Sequence, residues 1–192
     1  MATSRFKTEM YTADKFVESA GTVLLRLSTR EVCILRTLLY RDEYILPKGR
    51  RNLGESRQTT AIRETIEETG IPCRLLPVNL VSRVCPAIER FETEHDEHLQ
   101  VPDEPRLFKG CACEPIALQT RHVGEGGIKL IWWFVAAVNE DEPVGRHEKH
   151  EKDKFEVEFH GYDTVLEKLT FKDDRELVKK AIELAESSVG SQ

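Results

Sequence analysis

The chain has 192 residues, of which 40% are hydrophobic and 32% charged, and its net charge is −6. That length can bury one substantial core, and the composition is that of an ordinary globular domain. The acidic balance argues against a general nucleic-acid or anionic-membrane binder, which needs a broad basic face. It leaves room for an anionic small molecule held by a few local cations.

The opening residues, MATSRFKTEMYTADKFVESAG, have no apolar core of a signal peptide, and residues 1–18 read as a polar N-terminal extension. No stretch has the ~20 apolar residues that a membrane span requires, so no membrane partner is expected. SAGTVLLRL (19–27) and EVCILRTLL (31–39) are β-rich runs separated by STR, and read as neighbouring strands. EYILP (43–47) predicts a short strand ended by Pro47, and residues 48–55 a loop. The helix RQTTAIRETIEETG follows, with Ser56 as its N-cap, Gly70 as a left-handed C-cap and Pro72 to prevent continuation. A 3.6-residue period places Ala61, Ile62, Thr65 and Ile66 on one face and Glu64, Glu67 and Glu68 on the other.

CRLLPVNLVSRVC (73–85) returns to strand. Residues 86–127 read as a long insertion of loop character, acidic at first and glycine-rich at its end. IKLIWWFVAAV (128–138) is nearly continuously apolar and predicts a central strand, with Trp132 and Trp133 on opposite faces. A charged connection (139–154), a short strand FEVEF (155–159) and a helical stretch (163–186) broken near Thr170 close the domain, leaving 187–192 as a flexible tail. The expectation is one α/β domain over residues 1–192, with helices covering a sheet. The five cysteines, Cys33, Cys73, Cys85, Cys111 and Cys113, are odd in number. That pattern suits reduced thiols and a cytoplasmic or nuclear protein. CAC at 111–113 has no second ligand pair at zinc-finger spacing.

Three carboxylates at i, i+3 and i+4 repel one another. A solvated acidic face and a divalent-cation site both account for them. Mg²⁺ prefers hard oxygen ligands, keeps several waters and shares its remaining positions with phosphates.

The stretch ILPKGRRNLGES (45–56), just before the helix, decides between these readings. Gly49 is followed after five residues by Glu55, and after seven more by RETIEETGI (63–71). This resembles the Nudix box: Gly, five residues, Glu, seven residues, then Arg-Glu-hydrophobic-any-Glu-Glu-any-Gly-hydrophobic. Gly49, Glu55, Arg63, Glu64, Glu67, Glu68, Gly70 and Ile71 match, and Thr65 stands in the first hydrophobic slot. Seven fixed identities would recur by chance in such a chain less than roughly once in a hundred thousand.

The resemblance implies an α/β/α sandwich around a mixed β-sheet and hydrolysis of a phosphoanhydride whose leaving diphosphate carries another group. It implies Mg²⁺, with Mn²⁺ as an alternative, held by Glu64, Glu67 and Glu68, with the Gly49 carbonyl and Glu55 as further ligands or supports. Arg63 would orient a neighbouring glutamate. The general base would be Glu64, or a later residue such as Glu156 or Glu158. Lys48, Arg50 and Arg51 beside the metal suit a substrate with many phosphates. Arg26 and Lys129 resemble phosphate-contacting positions of the diphosphoinositol enzymes. PKG is similar to the loop of diadenosine polyphosphate hydrolases and of decapping enzymes. Diphosphoinositol or diadenosine polyphosphates are therefore the leading substrates. Capped RNA, nucleotide sugars and ADP-ribose follow, and a catalytically inactive Nudix-fold binding module is the reading of a different class. Oligomeric state is not encoded in any motif.

Overall fold

The computed structural model describes residues 5–39, 41–85, 103–124, 126–143 and 154–189. The main sheet is built from β1 (Phe16–Arg26), β2 (Glu31–Thr37), β5 (Cys73–Leu75), β9 (Gly127–Val138) and β10 (Phe155–Gly161), in the order β10-β2-β1-β9-β5. Three shorter strands extend it: β3 (Tyr44–Ile45) on β2, β4 (Lys48–Arg50) on β1 and β8 (Ala117–Val123) on β9. Only β1 and β9 run parallel, from Phe16 beside Ile128 to Leu25 beside Ala137; the other pairs are antiparallel. The sheet is therefore mixed.

Helix α1 (Arg57–Thr69) covers one face, where Ala61 packs with Ala20 and Phe134. Helices α2 (Val165–Lys168) and α3 (Lys172–Val189) cover the other. There Val178, Ala181 and Ala185 join Ile131, Trp133 and Val135 in the largest core cluster. Burial on both faces explains why β9 is nearly continuously apolar. The layers are helix, sheet, helix, as the box implied.

The expected loop 48–55 contains β4, and 86–127 is not a loop throughout. Residues 106–112 form β7, which pairs with β6 (Val78–Ser82) in a separate two-stranded sheet. Residues 117–123 form β8, and the first part of the segment, 86–102, lies outside the described residues. β4 is three polar residues and β8 is largely exposed, so neither shows the apolar alternation that marks a strand in sequence. The expected strand 73–85 is two strands in different sheets, divided at Leu76–Pro77. The break near Thr170 falls between α2 and α3 as expected.

The caps of α1 are those expected: Ser56 accepts from the Thr59 N–H, and Gly70, at φ 69°, is left-handed. Its buried face differs. Thr60, Ala61, Thr65 and Thr69 are buried, whereas Ile66 is exposed. Thr65 Oγ1 donates to the Ala61 carbonyl at 2.7 Å and lies 2.8 Å from the buried Thr22 Oγ1 on β1. With its own proton committed, Thr65 accepts from Thr22. Thr65→Val leaves the Thr22 hydroxyl buried and unpaired, and should cost about 1–3 kcal/mol in urea unfolding. The double variant Thr22→Val/Thr65→Val should recover most of that loss.

Candidate active site

Strand β4 and helix α1 meet along the opening stretch. Gly49 sits beside Ala20 of β1, directly under Glu64. A Cβ at position 49 would lie 1.7 Å from Glu64 Oε2, so only glycine leaves room for that carboxylate. Glu68 Oε2 accepts the Lys48 N–H at 2.8 Å, which ties the helix to the strand. Gly21 allows the same approach from beneath: a Cβ there would meet Lys48 Cβ and the Pro47 carbonyl at 2.4 Å.

Arg63 is the hub of the helix. Its guanidinium donates to both Glu55 oxygens (2.8 and 3.0 Å), to Glu64 Oε1 and Glu67 Oε2 (each 2.8 Å), and to the Arg50 carbonyl (2.9 Å). Its own ionisation is pushed further up by these partners, Glu55 first. The Glu55 carboxylate accepts additionally from the Asn52 N–H and the Thr60 hydroxyl, and Arg63 foremost holds its pKa down to about 2. Glu64 moves the other way: burial raises its carboxyl above the ordinary range, although Arg63 opposes that.

Because Arg63 stabilises the ionised form of Glu55, that contribution is complete above the ordinary value of 4.5. It is lost as pH falls toward about 2. Arg63→Ala should therefore lower thermal stability most at neutral pH, with a deficit that shrinks steadily below pH 4.5. A deficit unchanged at low pH would mean that Arg63 acts by packing instead.

A cleft of about 370 Å³ opens over this arrangement, lined among others by Gly49, Arg50, Glu64, Glu67, Glu68 and Lys129. Lys129 is half-buried there. Burial first, then Lys48, Arg121 and Arg50, depress its pKa, so it is a cation in a crowd of cations. Lys154 and Phe155 also line the cleft. Neither these two nor Arg121 carried a signal in the sequence beyond being basic or apolar.

Other expected site residues lie elsewhere or are engaged. Arg51 donates to Glu18 at 3.0 Å and to the Glu55 carbonyl at 2.9 Å. The same Glu18 accepts from Arg57 and from the Trp132 indole, and Arg57 stacks 3.9 Å over that indole. Trp132 thus packs on the α1 side, while Trp133 belongs to the core on the other face. Arg26 lies nine positions along β1 from Val17, the neighbour of Lys129, or roughly 30 Å away at strand rise. It is paired with Glu31 and stacked on Phe159. Glu156 pairs with Arg36 and Glu158 with His160, on a strand of which Phe155 reaches the cleft.

Among the described residues no three acidic, His or Cys groups are already gathered as a metal cluster. Arg63 supplies the positive charge between Glu64 and Glu67 instead. The donor chemistry nevertheless fits Mg²⁺: Glu64, Glu67 and Glu68 are hard oxygen donors facing one cleft, with Glu64 seated where Gly49 has no side chain.

No curated protein sequence matches the chain. Among solved structures, an Ap4A hydrolase of C. elegans is similar with a TM-score of 0.51 at 18% identity, over 86% of this chain and 95% of that one. A binary complex of C. elegans Ap4A hydrolase gives 0.52 at 19%, over 85% and 93%. A NUDIX hydrolase from Nitrosomonas europaea gives 0.51 at 14%, over 93% and 92%. At such identities the likeness is one of fold. The model of the NUDIX domain matches residues 15–181, from the start of the sheet well into the last helix. With the glycine-seated glutamate helix inside that match, the chain belongs to the NUDIX domain family and is a hydrolase of pyrophosphate bonds.

Proposed function

We propose that the chain cleaves a phosphoanhydride in a heavily phosphorylated small molecule, a diadenosine or diphosphoinositol polyphosphate. One observation carries this reading: a single cleft is lined both by Glu64, Glu67 and Glu68 and by the cations Arg50 and Lys129. A single diphosphate needs few counter-charges; a chain or cluster of phosphates needs several. The Ap4A hydrolase likeness is compatible with the diadenosine member of the pair.

Glu64, Glu67 and Glu68 would hold Mg²⁺ or Mn²⁺, with the Gly49 carbonyl beside them. When bound, such an ion neutralises phosphate charge and acidifies an attacking water. The remaining work is positioning and charge, as phosphoryl chemistry demands. Arg63 keeps Glu64 and Glu67 pointed at the cleft, and Glu55 fixes Arg63. Arg50 and Lys129 draw the phosphates in. Glu64, held at Oε1 by Arg63, is the box carboxylate that would accept the proton of the water.

The test is turnover with Mg²⁺ on an inositol pyrophosphate, a diadenosine polyphosphate, capped RNA and ADP-ribose. Release of product from either of the first two supports the reading; inactivity on all four together with tight binding favours a binding module. Arg50→Ala should lose about tenfold more kcat/KM on the polyphosphates than on ADP-ribose, a charge-assisted contact being worth ~1.5–3 kcal/mol. Arg51→Ala should lower stability through Glu18 without that selectivity. Equal losses on both substrates in Arg50→Ala would refute a substrate-selecting role for that cation.

A further inference from the structure

Beyond the catalytic cleft the same sheet continues into a second cavity. In the β8–β9 register Ala117 faces Trp133, Gln119 faces Ile131 and Arg121 faces Lys129, and the two-residue period puts all six on one face. Lys48 joins this face, since a Cβ on Gly21 would touch both Lys48 Cβ and the Trp133 ring. A row therefore runs from the glutamates through Lys129, Arg121 and Lys48 to Trp133. There the N-terminal turn of α3 closes a pocket of about 310 Å³, with Ile116, Ala117, Leu118, Trp133 and Leu177 among its walls.

Asp174 also lines this pocket. It is 4% exposed, and among the described residues it has no hydrogen bond or ion pair, only the longer-range fields of Arg121, Lys48 and Asp173. Burial raises its carboxyl above the usual range. Among the described residues only the Ser19 hydroxyl is a buried side-chain polar atom without a partner, so the Asp174 oxygens open on the pocket, where a group that donates can reach them. Phosphates are the wrong occupants: the charged lining residues are three acids, Asp173, Asp174 and Glu176, against one cation, Lys180, and the rest is apolar but for Gln119. The volume is at the small end of the roughly 300–1,000 Å³ that hold small ligands. A flat heterocycle with an N–H edge satisfies both walls and anchor.

Resting on the hydrolase reading above, we propose that this pocket is the subsite for a nucleobase bearing an exocyclic amino group. Asp174 accepts from that amino group, Trp133 and the aliphatic walls enclose the ring, and the phosphates extend over Lys48, Arg121 and Lys129 to the glutamates. This selects a nucleoside polyphosphate over an inositol one.

The test compares diadenosine tetraphosphate, its purine riboside counterpart, which has hydrogen in place of the amino group and no N–H on that edge, and a base-free inositol pyrophosphate, each with Mg²⁺. Wild-type protein should show a KM about tenfold higher for the purine riboside compound, the cost of one lost hydrogen bond to a carboxylate. Asp174→Ala, and Ala117→Leu which fills the pocket, should raise KM for the adenosine compound about tenfold and erase the discrimination, with kcat and base-free turnover unchanged. Asp174→Ala should melt no lower than wild type, since it removes an unpaired buried acid. Unchanged KM values, or equal losses on the base-free substrate, overturn the proposal. If wild-type protein cleaves none of the three, the polyphosphate reading fails. Adenosine binding by saturation-transfer NMR, abolished by Ala117→Leu, then still decides the pocket: no transfer to wild type refutes it.

Discussion

Glu68→Gln is expected to leave a folded protein with almost no Mg²⁺-dependent turnover. Glu68 uses one oxygen to accept the Lys48 N–H, and a glutamine carbonyl can accept the same bond. The link between α1 and β4 therefore survives while the negative charge is lost. Stability should stay within ~0.5 kcal/mol of wild type, as for a substitution that breaks no packing. The rate should fall at least ~100-fold, and the Mg²⁺ concentration for half-maximal rate should rise, since even outer partners of metal sites cost 10- to 100-fold. Glu67→Gln should behave alike, because its present partner, Arg63, can still donate to a glutamine carbonyl. Glu156→Gln serves as the control. That residue is paired with Arg36 outside the cleft and its loss should leave the rate unchanged. Wild-type Mg²⁺ dependence in either helix variant would remove these glutamates from the metal-holding set.

Gly49→Ala should be nearly as damaging, through a methyl group that never touches substrate. The added Cβ would stand 1.7 Å from Glu64 Oε2 and 1.9 Å from its Cδ, so the carboxylate must leave its seat. Displacing a reacting group by ~1 Å costs about 100-fold in rate. The loss should appear in kcat, because the cations that attract substrate, Lys129 and Arg50, are untouched. Gly54→Ala separates this from mere loop disturbance. Gly54 has φ 77° and open space around its Cβ position. An alanine there pays the left-handed penalty of about 1–2 kcal/mol in stability and should keep full activity. If Gly49→Ala retained wild-type kcat, Glu64 would not need its present position.

The box was readable because its physics is local. A helix of known period, capped by Ser56 and Gly70, fixes which side chains share a face. The spacing from Gly49 to Glu55 to Arg63 lies within one loop and one helix. Arg63 as an orienting residue followed from the same short range. Ile66 went wrong for a reason of the opposite kind: it is apolar and correctly spaced, yet the buried stripe of α1 turns onto Thr60, Thr65 and Thr69. A threonine is preferred there because Thr22, forty-three positions away, presents a hydroxyl.

Sequence alone determined the family, the glutamate helix, its caps, the apolar central strand and the break before the last helix, all signals carried within a few turns or one strand. Tertiary structure decided which cations face the cleft. Lys48, Arg50 and Arg51 are adjacent in sequence, but Glu18 engages Arg51 and leaves Arg50 at the opening. Arg26 and Lys129 sit on neighbouring parallel strands, and only the register shows that they stand at opposite ends. Short polar strands such as β4 and β8 exist because the long β1 and β9 offer them partners, and that pairing energy is written in no single segment. Charge can be counted in a sequence; which charge is already neutralised depends on a carboxylate that the fold brings from elsewhere.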